Sequence, residues 1–248
     1  MITIKDIKKS FSNQIVLDEV SLDIAHGEMI AVVGPSGTGK SVLLKIITGL
    51  LDADGGEVLI DGESITEART TKEKQAICEK MGVLFQNAAL FDSISLFDNV
   101  CFPLRYRTKL SESEIIKRST KCLDEVGLGG YELALPGEVS IGIRKRVGIA
   151  RALVTEPEVV LFDEPNTGLD PYAGQEIYDL IIETQRISGF TGIVVSHEIP
   201  EVFQVCTRVA MLYDGKIQLD STVHEFLESD LPVVKQFREG SVVGPIEI

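Results

Sequence analysis

Hydrophobic and polar residues alternate at the start of the chain. Ile2, Ile4 and Ile7 are separated by polar residues, and apolar stretches at 15–17 and 20–24 follow, punctuated by Ser, Asn and Asp. A period of two residues is typical of β-strands, and polar punctuation of this kind marks the turns between them. This part of the sequence therefore predicts a small antiparallel sheet.

Farther along the chain, apolar residues occur in uninterrupted runs. The run at 29–33 precedes a glycine-rich turn at 34–39, and apolar residues then recur at helical spacing between 42 and 50. This order predicts a strand, a loop and a helix. Further strand-like runs, rich in apolar residues, stand at 58–60, 83–85, 159–162, 193–196 and 209–212. Because such runs indicate strands covered on both faces, they predict a mainly parallel α/β sheet.

The stretch between 91 and 155 contains no run of this kind. Its apolar residues recur at helical spacing instead, as in Ile115, Ile116, Cys122, Leu123 and Val126. We therefore predict an inserted helical subdomain at about 91–157.

The last part of the chain contains a predicted β-hairpin, followed by a region rich in proline and glycine. Asp214 and Gly215 follow an apolar run and precede a second short run at 216–219, which predicts a two-residue hairpin. From Asp230 onward, prolines and glycines recur. We expect the final residues to be loose or packed on another body.

The composition excludes several classes of protein. With 24 Lys and Arg against 38 Asp and Glu, the net charge is −14, which argues against a nucleic-acid partner. The longest apolar runs are five residues, far below the ~18 of a membrane helix, and the N-terminus lacks the apolar centre of a signal peptide. The four cysteines are widely spaced, without a CxxC pair, which fits neither a zinc site nor a disulfide framework. We expect a cytoplasmic protein with reduced thiols.

Residues 34–41 carry the first chemical motif. They match the phosphate-loop pattern GxxxxGK[ST], and they follow a predicted strand and open a predicted helix. Glycines let backbone N–H groups turn toward the β- and γ-phosphates, the helix N-terminus adds partial positive charge, and Lys40 adds a full one. Ser41 would ligate Mg²⁺. The motif predicts a nucleotide site formed by Gly34, Pro35, Ser36, Gly37, Thr38, Gly39, Lys40 and Ser41.

A second motif lies at the end of the run 159–162. Asp163 and Glu164 follow this buried strand directly. Asp163 can hold the Mg²⁺ shell, and Glu164 can polarise an attacking water. A phosphate loop alone does not separate kinases, GTPases and ATPases.

Together with these motifs, four further segments resemble the ATP-binding subunit of an ABC transporter. Gln86 follows a predicted strand, residues 139–143 and the helix after them resemble the LSGGQ signature, residues 167–170 resemble the D-loop, and His197 follows the run at 193–196. The motifs occur in family order over nearly the whole chain. The resemblance implies a P-loop NTPase of α/β class, with a RecA-like, mainly parallel sheet, an N-terminal antiparallel β subdomain and an inserted helical subdomain.

The resemblance also implies roles for individual residues. In the family, the catalytic positions are those of Glu164, His197 and Gln86, and an aromatic ring at the position of Phe11 stacks on adenine. Asp163 joins the phosphate loop in binding ATP. The implied Mg²⁺ ligands are Ser41, Gln86 and Asp163. The partner ATPase of a dimer contributes residues to each ATP site, here Ser140, Gly142 and Asp170.

Partners and cargo follow from the same resemblance. It implies a homodimer and separate permease subunits, which dock near Gln86 and residues 88–103. Residues 86–105 further resemble the ATPases of Mla and Mce-associated lipid transporters. This narrower resemblance implies a lipid cargo, an Mce-domain substrate-binding partner and a peripheral place on the cytoplasmic face of the inner membrane. It divides the chain into an ATP-binding domain at 1–229 and a C-terminal extension at 230–248.

One departure from the family leaves the activity open. Ile141 replaces the first glycine of the signature, and Ile143 replaces its usual glutamine. A β-branched residue disfavours positive φ and close approach to phosphate. Ile141 would weaken closure, slow hydrolysis, or do neither if its side chain points into the helical subdomain. The alternatives are a nucleotide-gated module with little hydrolysis and a soluble ABC ATPase that moves no substrate.

Overall fold

The computed structural model describes residues 2–68 and 70–247. They fall into two compact units. The first comprises the chain up to Cys78 together with the chain from Thr191 onward, and the second is Glu79–Phe190. None of the helices formed by the described residues combines the length and apolar character needed to span a bilayer.

The first unit begins with an antiparallel sheet, which confirms the prediction for the N-terminus. Its strands are β1 (Ile2–Phe11), β2 (Gln14–Ile24), β4 (Gly55–Ile60) and β5 (Glu63–Ser64), in the order β2-β1-β4-β5. Two expectations were wrong in detail. The stretches at 15–17 and 20–24 form one strand, with Glu19 at a positive φ of 58°.

The run at 58–60 is the second correction. It lies in β4 of this antiparallel sheet and not among the parallel strands. Val58 and Ile60 are buried opposite Ile4 and Ile2, while Leu59 between them is only half-buried. The short run therefore has the alternation of a strand with one buried face, and its length hid the period.

The first unit also holds β3 (Met29–Val33) together with three further strands. They are β8 (Thr191–Ser196), β9 (Arg208–Tyr213) and β10 (Lys216–Thr222), in the order β10-β9-β3-β8. β3 runs parallel to β8 and β9, and every residue of β3 and β8 is buried. β9 and β10 form the predicted hairpin, with positive φ at both turn residues. The helices of this unit are α1 (Lys40–Ile47), α2 (Thr71–Glu79, whose last residue begins the second unit), α7 (Val223–Glu228) and α8 (Pro232–Glu239).

Of the two expectations for the C-terminal residues, a loose end or a packed one, the structure bears out packing. The backbone N–H of Ile246 donates to Gln236 Oε1 at 2.6 Å, and Gln236 Nε2 donates to Ile246 O at 3.0 Å. Tyr213 Oη donates to Pro245 O at 2.8 Å. The prolines and glycines thus shape a turn that folds back on α8 and the end of β9.

The second unit is a parallel strand pair with helices. Its strands are β6 (Met81–Leu84) and β7 (Val159–Asp163), and its helices are α3 (Leu96–Arg107), α4 (Glu112–Glu125), α5 (Ile141–Leu153) and α6 (Pro171–Ser188). All residues of the stretch 91–155 are described, and they contain α3, α4 and α5 but no strand. The helical character predicted for this stretch is therefore confirmed.

Close packing joins α5 to β6. A Cβ placed on Gly148 of α5 would lie 2.6 Å from Leu84 Cδ1, and one on Gly82 of β6 would lie 2.3 Å from Ala152 O. Only glycine permits this approach at either position. The helix that follows the signature is thereby fixed against the strand that leads to Gln86.

Candidate functional site

The phosphate loop lies between β3 and α1, as its motif predicts. Gly34 has a φ of 152°, and a Cβ there would lie 2.2 Å from Leu212 O. Gly39 has a φ of 97°, and a Cβ there would lie 2.9 Å from Val16 Cγ1. Larger residues would be strained and obstructed at both positions, so this turn requires glycine.

Lys40 is the first residue of α1 and is only 4% exposed. Its Nζ donates to Gly34 O at 2.8 Å and to Pro35 O at 2.7 Å, and Thr38 Oγ1 donates to Pro35 O at 2.9 Å. The first turn of α1 contains no acidic residue. A buried ammonium at a helix N-terminus forms a strongly anion-attracting loop, which is the chemistry that binds phosphate.

Two other predicted residues of the first unit lie at strand ends. Phe11 ends β1 and is 46% exposed, with Lys9 Nζ 5.5 Å from the centre of its ring. His197 directly follows β8 and is half-buried, and its Nε2 lies 3.8 Å from Glu198 Oε1. An exposed ring is available for stacking, and a half-buried imidazole can donate a hydrogen bond.

The second unit brings together two residues that the sequence predicts as catalytic. Gln86 Nε2 donates to Glu164 Oε2 at 2.7 Å, although the two residues are 78 positions apart. Thr167 Oγ1 donates to the same oxygen at 3.1 Å. Glu164 follows the fully buried strand β7 at a positive φ of 48°, next to the buried Asp163. The carboxylate of Glu164 is thus held in one orientation at a strand end.

The signature residues lie at the start of α5. Ser140 is the N-cap, and its Oγ accepts from Ile143 N at 3.3 Å. Ile141 is 43% exposed and is not among the residues with positive φ. The side chain of Ile141 is thus exposed and not buried in the helical subdomain, and its backbone carries no strain from a positive φ. A Cβ on Gly142 would meet no atom closer than 3.9 Å.

Asp170 occupies the equivalent place on α6. It is the exposed N-cap residue, and its Oδ1 accepts from Tyr172 N and Ala173 N, each at 3.0 Å. A Ser or Asp side chain in this position satisfies backbone donors at the start of the helix. Ser140 and Asp170 therefore both have a structural role within the chain, independent of any role in ATP binding.

The donor chemistry of the predicted Mg²⁺ ligands suits that ion. The Ser41 hydroxyl, the Asp163 carboxylate and the Gln86 amide oxygen are hard oxygen donors. Among the described residues, no group of three or more His, Cys, Asp and Glu side chains forms a metal centre. Mg²⁺ is usually held by one or two carboxylates together with substrate phosphates, so a dedicated protein cage is not required.

Two cations of α5 lie outside the motifs that the sequence presents. Lys145 is 1% exposed, and its Nζ donates to Glu164 O at 3.0 Å. Arg151 donates to Ala88 O at 2.6 Å and to Ala89 O at 2.8 Å. Burial lowers the pKa of the Arg151 guanidinium, which nevertheless stays charged. The only signal in the sequence is that both cations lie in the helix after the signature.

Comparisons with known proteins agree with this geometry. The family model described as "ABC transporter" matches residues 17–167. The chain is 43% identical to protein trigalactosyldiacylglycerol 3, chloroplastic, of Arabidopsis thaliana, over 99% of this chain and 75% of that protein. It is 44% identical to the probable ribonucleotide transport ATP-binding protein mkl of Mycobacterium leprae, over 99% and 70%. It is 35% identical to the intermembrane phospholipid transport system ATP-binding protein MlaF of Escherichia coli K12, over 99% and 91%.

Solved structures give the same family. The dimeric post-hydrolysis structure of the ATP-binding cassette MJ0796 with ADP and phosphate has a TM-score of 0.82 and 32% identity, over 90% of this chain and 99% of that one. The cbiO1 protein of Clostridium perfringens, part of the transporter complex cbiONQ, has a TM-score of 0.83 and 31% identity, over 95% and 93%. The fold is that of a P-loop NTPase, and the chain belongs to the ABC transporter family as an ATP-hydrolysing subunit.

Proposed function

We propose that this chain powers an ABC transporter of phospholipid or a related lipid. The hydrogen bond from Gln86 Nε2 to Glu164 Oε2 carries the catalytic part of the proposal, because it orients a carboxylate at the end of a buried strand. The near full-length similarity to MlaF, whose name specifies phospholipid transport, supports the cargo. The helical backbone at Ile141, without positive φ, removes the strain that a β-branched residue would bring there and favours hydrolysis over a module that only binds nucleotide.

The residues divide the work of ATP hydrolysis. The phosphate loop 34–41 holds the β- and γ-phosphates, and Phe11 stacks on the adenine. Glu164 orients and activates the attacking water, Gln86 fixes Glu164, and His197 donates to the γ-phosphate. Phosphoryl transfer needs mainly positioning and electrostatic stabilisation, which these groups supply. Mg²⁺, held by Ser41, Asp163 and Gln86, would neutralise charge on the phosphates.

The proposal includes an assembly, which membership of the family supports. Two copies bind two ATP molecules, and each copy contributes Ser140, Gly142 and Asp170 to the site of the other. Permease subunits dock near Gln86 and residues 88–103, and an Mce-domain protein binds the lipid. The chain then lies peripherally on the cytoplasmic face of the inner membrane. We divide it into the ATP-binding domain 1–229, with a helical subdomain at about 91–157, and the extension 230–248.

The first experiment replaces Glu164 by Gln in the complex with the membrane partners. We expect Glu164→Gln to bind ATP as the unaltered chain does and to lose turnover by roughly 100-fold or more, because general-base catalysis contributes this much. Glu158→Gln is the matched control, since Glu158 is an exposed carboxylate just before the same strand, at its other end. Hydrolysis by Glu164→Gln at the control's rate would remove Glu164 from this role.

The second experiment tests the cargo in proteoliposomes. We expect ATP-dependent transfer of a fluorescent phospholipid by the complex with the unaltered chain. The complex with Glu164→Gln should show no such transfer. A radiolabelled ribonucleotide is the alternative cargo, because the name of the mycobacterial relative specifies it. ATP-dependent movement of the ribonucleotide without movement of phospholipid would contradict the lipid assignment.

A further inference from the structure

We propose that Lys145 and Arg151, two cations of α5, are positioning residues that hold Glu164 and Gln86 in the geometry needed for hydrolysis. The inference rests on the proposed function, because it takes the catalytic roles of Glu164 and Gln86 from there. Neither cation needs to touch ATP in this arrangement. Each acts through the backbone of the segment that carries a catalytic side chain.

Left-handed backbone occurs at four residues of the second unit other than glycine. Their φ angles are 59° at Ala88, 47° at Ala89, 54° at Glu156 and 48° at Glu164. Residues with a Cβ adopt this conformation only at a cost in free energy, so neighbouring groups must hold it. Three of the four have a carbonyl that accepts from a cation of α5.

The second observation is what this backbone controls. The φ of Glu164 sets the direction of its own side chain, which accepts from Gln86 Nε2 at 2.7 Å. On the other side, Ala88 N donates to Phe85 O at 2.8 Å and closes a turn around Gln86. Arg151 donates to the carbonyl of Ala88, which ends this turn, and to that of Ala89, which follows it. Both partners of the Gln86–Glu164 hydrogen bond are therefore anchored to one helix.

The third observation is the character of the anchoring groups. Lys145 is 1% exposed, and a buried ammonium is costly unless strong acceptors surround it. The guanidinium of Arg151 presents a fixed fork of donors, which suits two carbonyls at once. Gly148 lies between the two cations and lets α5 approach Leu84 and Ala88 closely. The helix thus acts as a rigid support for both loops.

The helix also begins with the signature. Ser140 caps the same α5 that carries Lys145 and Arg151. In the proposed dimer, ATP contacted by Ser140 belongs to the partner's site. One helix therefore carries both a residue proposed for the partner's ATP site and the two cations that position Glu164 and Gln86.

The test compares two arginines of α5. Arg151→Lys keeps the charge but replaces the two-pronged donor with a single ammonium. Arg146→Lys is the matched control, because Arg146 donates to Val126 O at 3.1 Å and pairs with Glu176 at 2.8 Å, and neither partner belongs to the catalytic segments. ATP turnover, the KM for ATP and the melting temperature are measured for both variants in the transporter complex.

We expect Arg151→Lys to lower kcat roughly 10- to 100-fold, the cost of slightly misplaced catalytic groups, with the KM for ATP unchanged. Arg146→Lys should keep the kcat of the unaltered chain, although its melting temperature should fall at least as far as that of Arg151→Lys. Lys145→Met should resemble Arg151→Lys, and Lys145→Gln, whose amide can still donate to Glu164 O, should retain more activity. Equal kcat in Arg151→Lys and Arg146→Lys would overturn the proposal.

A rescue variant separates positioning from general stability. Ala89 is exposed, and asparagine adopts positive φ more readily than alanine. We expect Ala89→Asn to restore much of the kcat lost in Arg151→Lys and to leave Arg146→Lys unchanged. Absence of this rescue would contradict control through the backbone. Glu164→Gln is measured in parallel. Full ATP hydrolysis by Glu164→Gln would contradict the proposed function. If Glu164→Gln loses hydrolysis while Arg151→Lys remains fully active, only the present inference is contradicted.

Discussion

Ile141 is the residue at which this chain departs most clearly from the signature of its family. It is the first residue of α5, is 43% exposed and has no positive φ. A side chain in this place therefore costs neither backbone strain nor burial of polar groups. What Ile141 changes is the surface that α5 presents in the proposed dimer.

We expect Ile141→Gly to leave ATP turnover within about twofold of the unaltered chain. Its stability should fall by about 0.5 kcal/mol, because glycine is a poor helix former. Ile116→Gly on α4 measures the cost of glycine at a position of similar exposure, 45%. Turnover that rises tenfold or more in Ile141→Gly alone would show that the signature is disabled in this chain and that ATP binding is its main event.

At the scale of elements, the buried strands were predictable and the supporting contacts were not. Residues 29–33 of β3, 159–162 of β7 and 193–195 of β8 are uninterrupted apolar runs, so the local sequence already indicates burial on both faces. The phosphate loop and the carboxylates after β7 were predictable for the same reason, since each motif adjoins such a strand. The helix α5 was predicted, but not the function of its cations.

The contacts that escaped prediction join segments far apart in the sequence. Lys145 donates to a carbonyl 19 positions away, and Arg151 donates to carbonyls 62 and 63 positions away. Any backbone carbonyl can accept such a bond, so no residue type marks the acceptor. The end of the chain is similar. Its prolines and glycines mark the turn at 241–246, but no residue type marks Gln236 of α8 as the hydrogen-bond partner of that turn.

That turn gives a prediction about α8. Gln236 is 4% exposed and hydrogen-bonds both backbone groups of Ile246. We expect Gln236→Ala to lower the free energy of unfolding by about 1–3 kcal/mol, because buried donors and acceptors lose their partners. Urea unfolding measures this change, and Lys235→Ala, an exposed neighbour on the same helix, is the control. Equal unfolding midpoints for the two variants would contradict this account of the C-terminal turn.

At the scale of the whole molecule, the predicted functional residues divide between the two units. The phosphate loop, Phe11 and His197 belong to the first unit, whereas Gln86, the signature, Glu164 and Asp170 belong to the second. The chain leaves the first unit after Cys78 and returns to it at Thr191. The phosphate loop and His197 are thus built on one unit, and the Gln86–Glu164 pair is built on the other, each unit with its own strands.

The proposed dimer predicts complementation between two inactive variants. Lys40→Ala removes the ammonium of the phosphate loop but keeps the signature, and Ser140→Arg blocks the signature but keeps the loop. Each variant alone should lack turnover, since every site of its dimer is damaged. In an equal mixture, half of the dimers contain both variants and half of their sites are intact, so about a quarter of normal turnover should return.

If the mixture stays inactive while both variants remain folded and Ser140→Arg still binds ATP, the signature does not act on the partner's nucleotide. If Ser140→Arg alone hydrolyses ATP normally, each chain completes its own site.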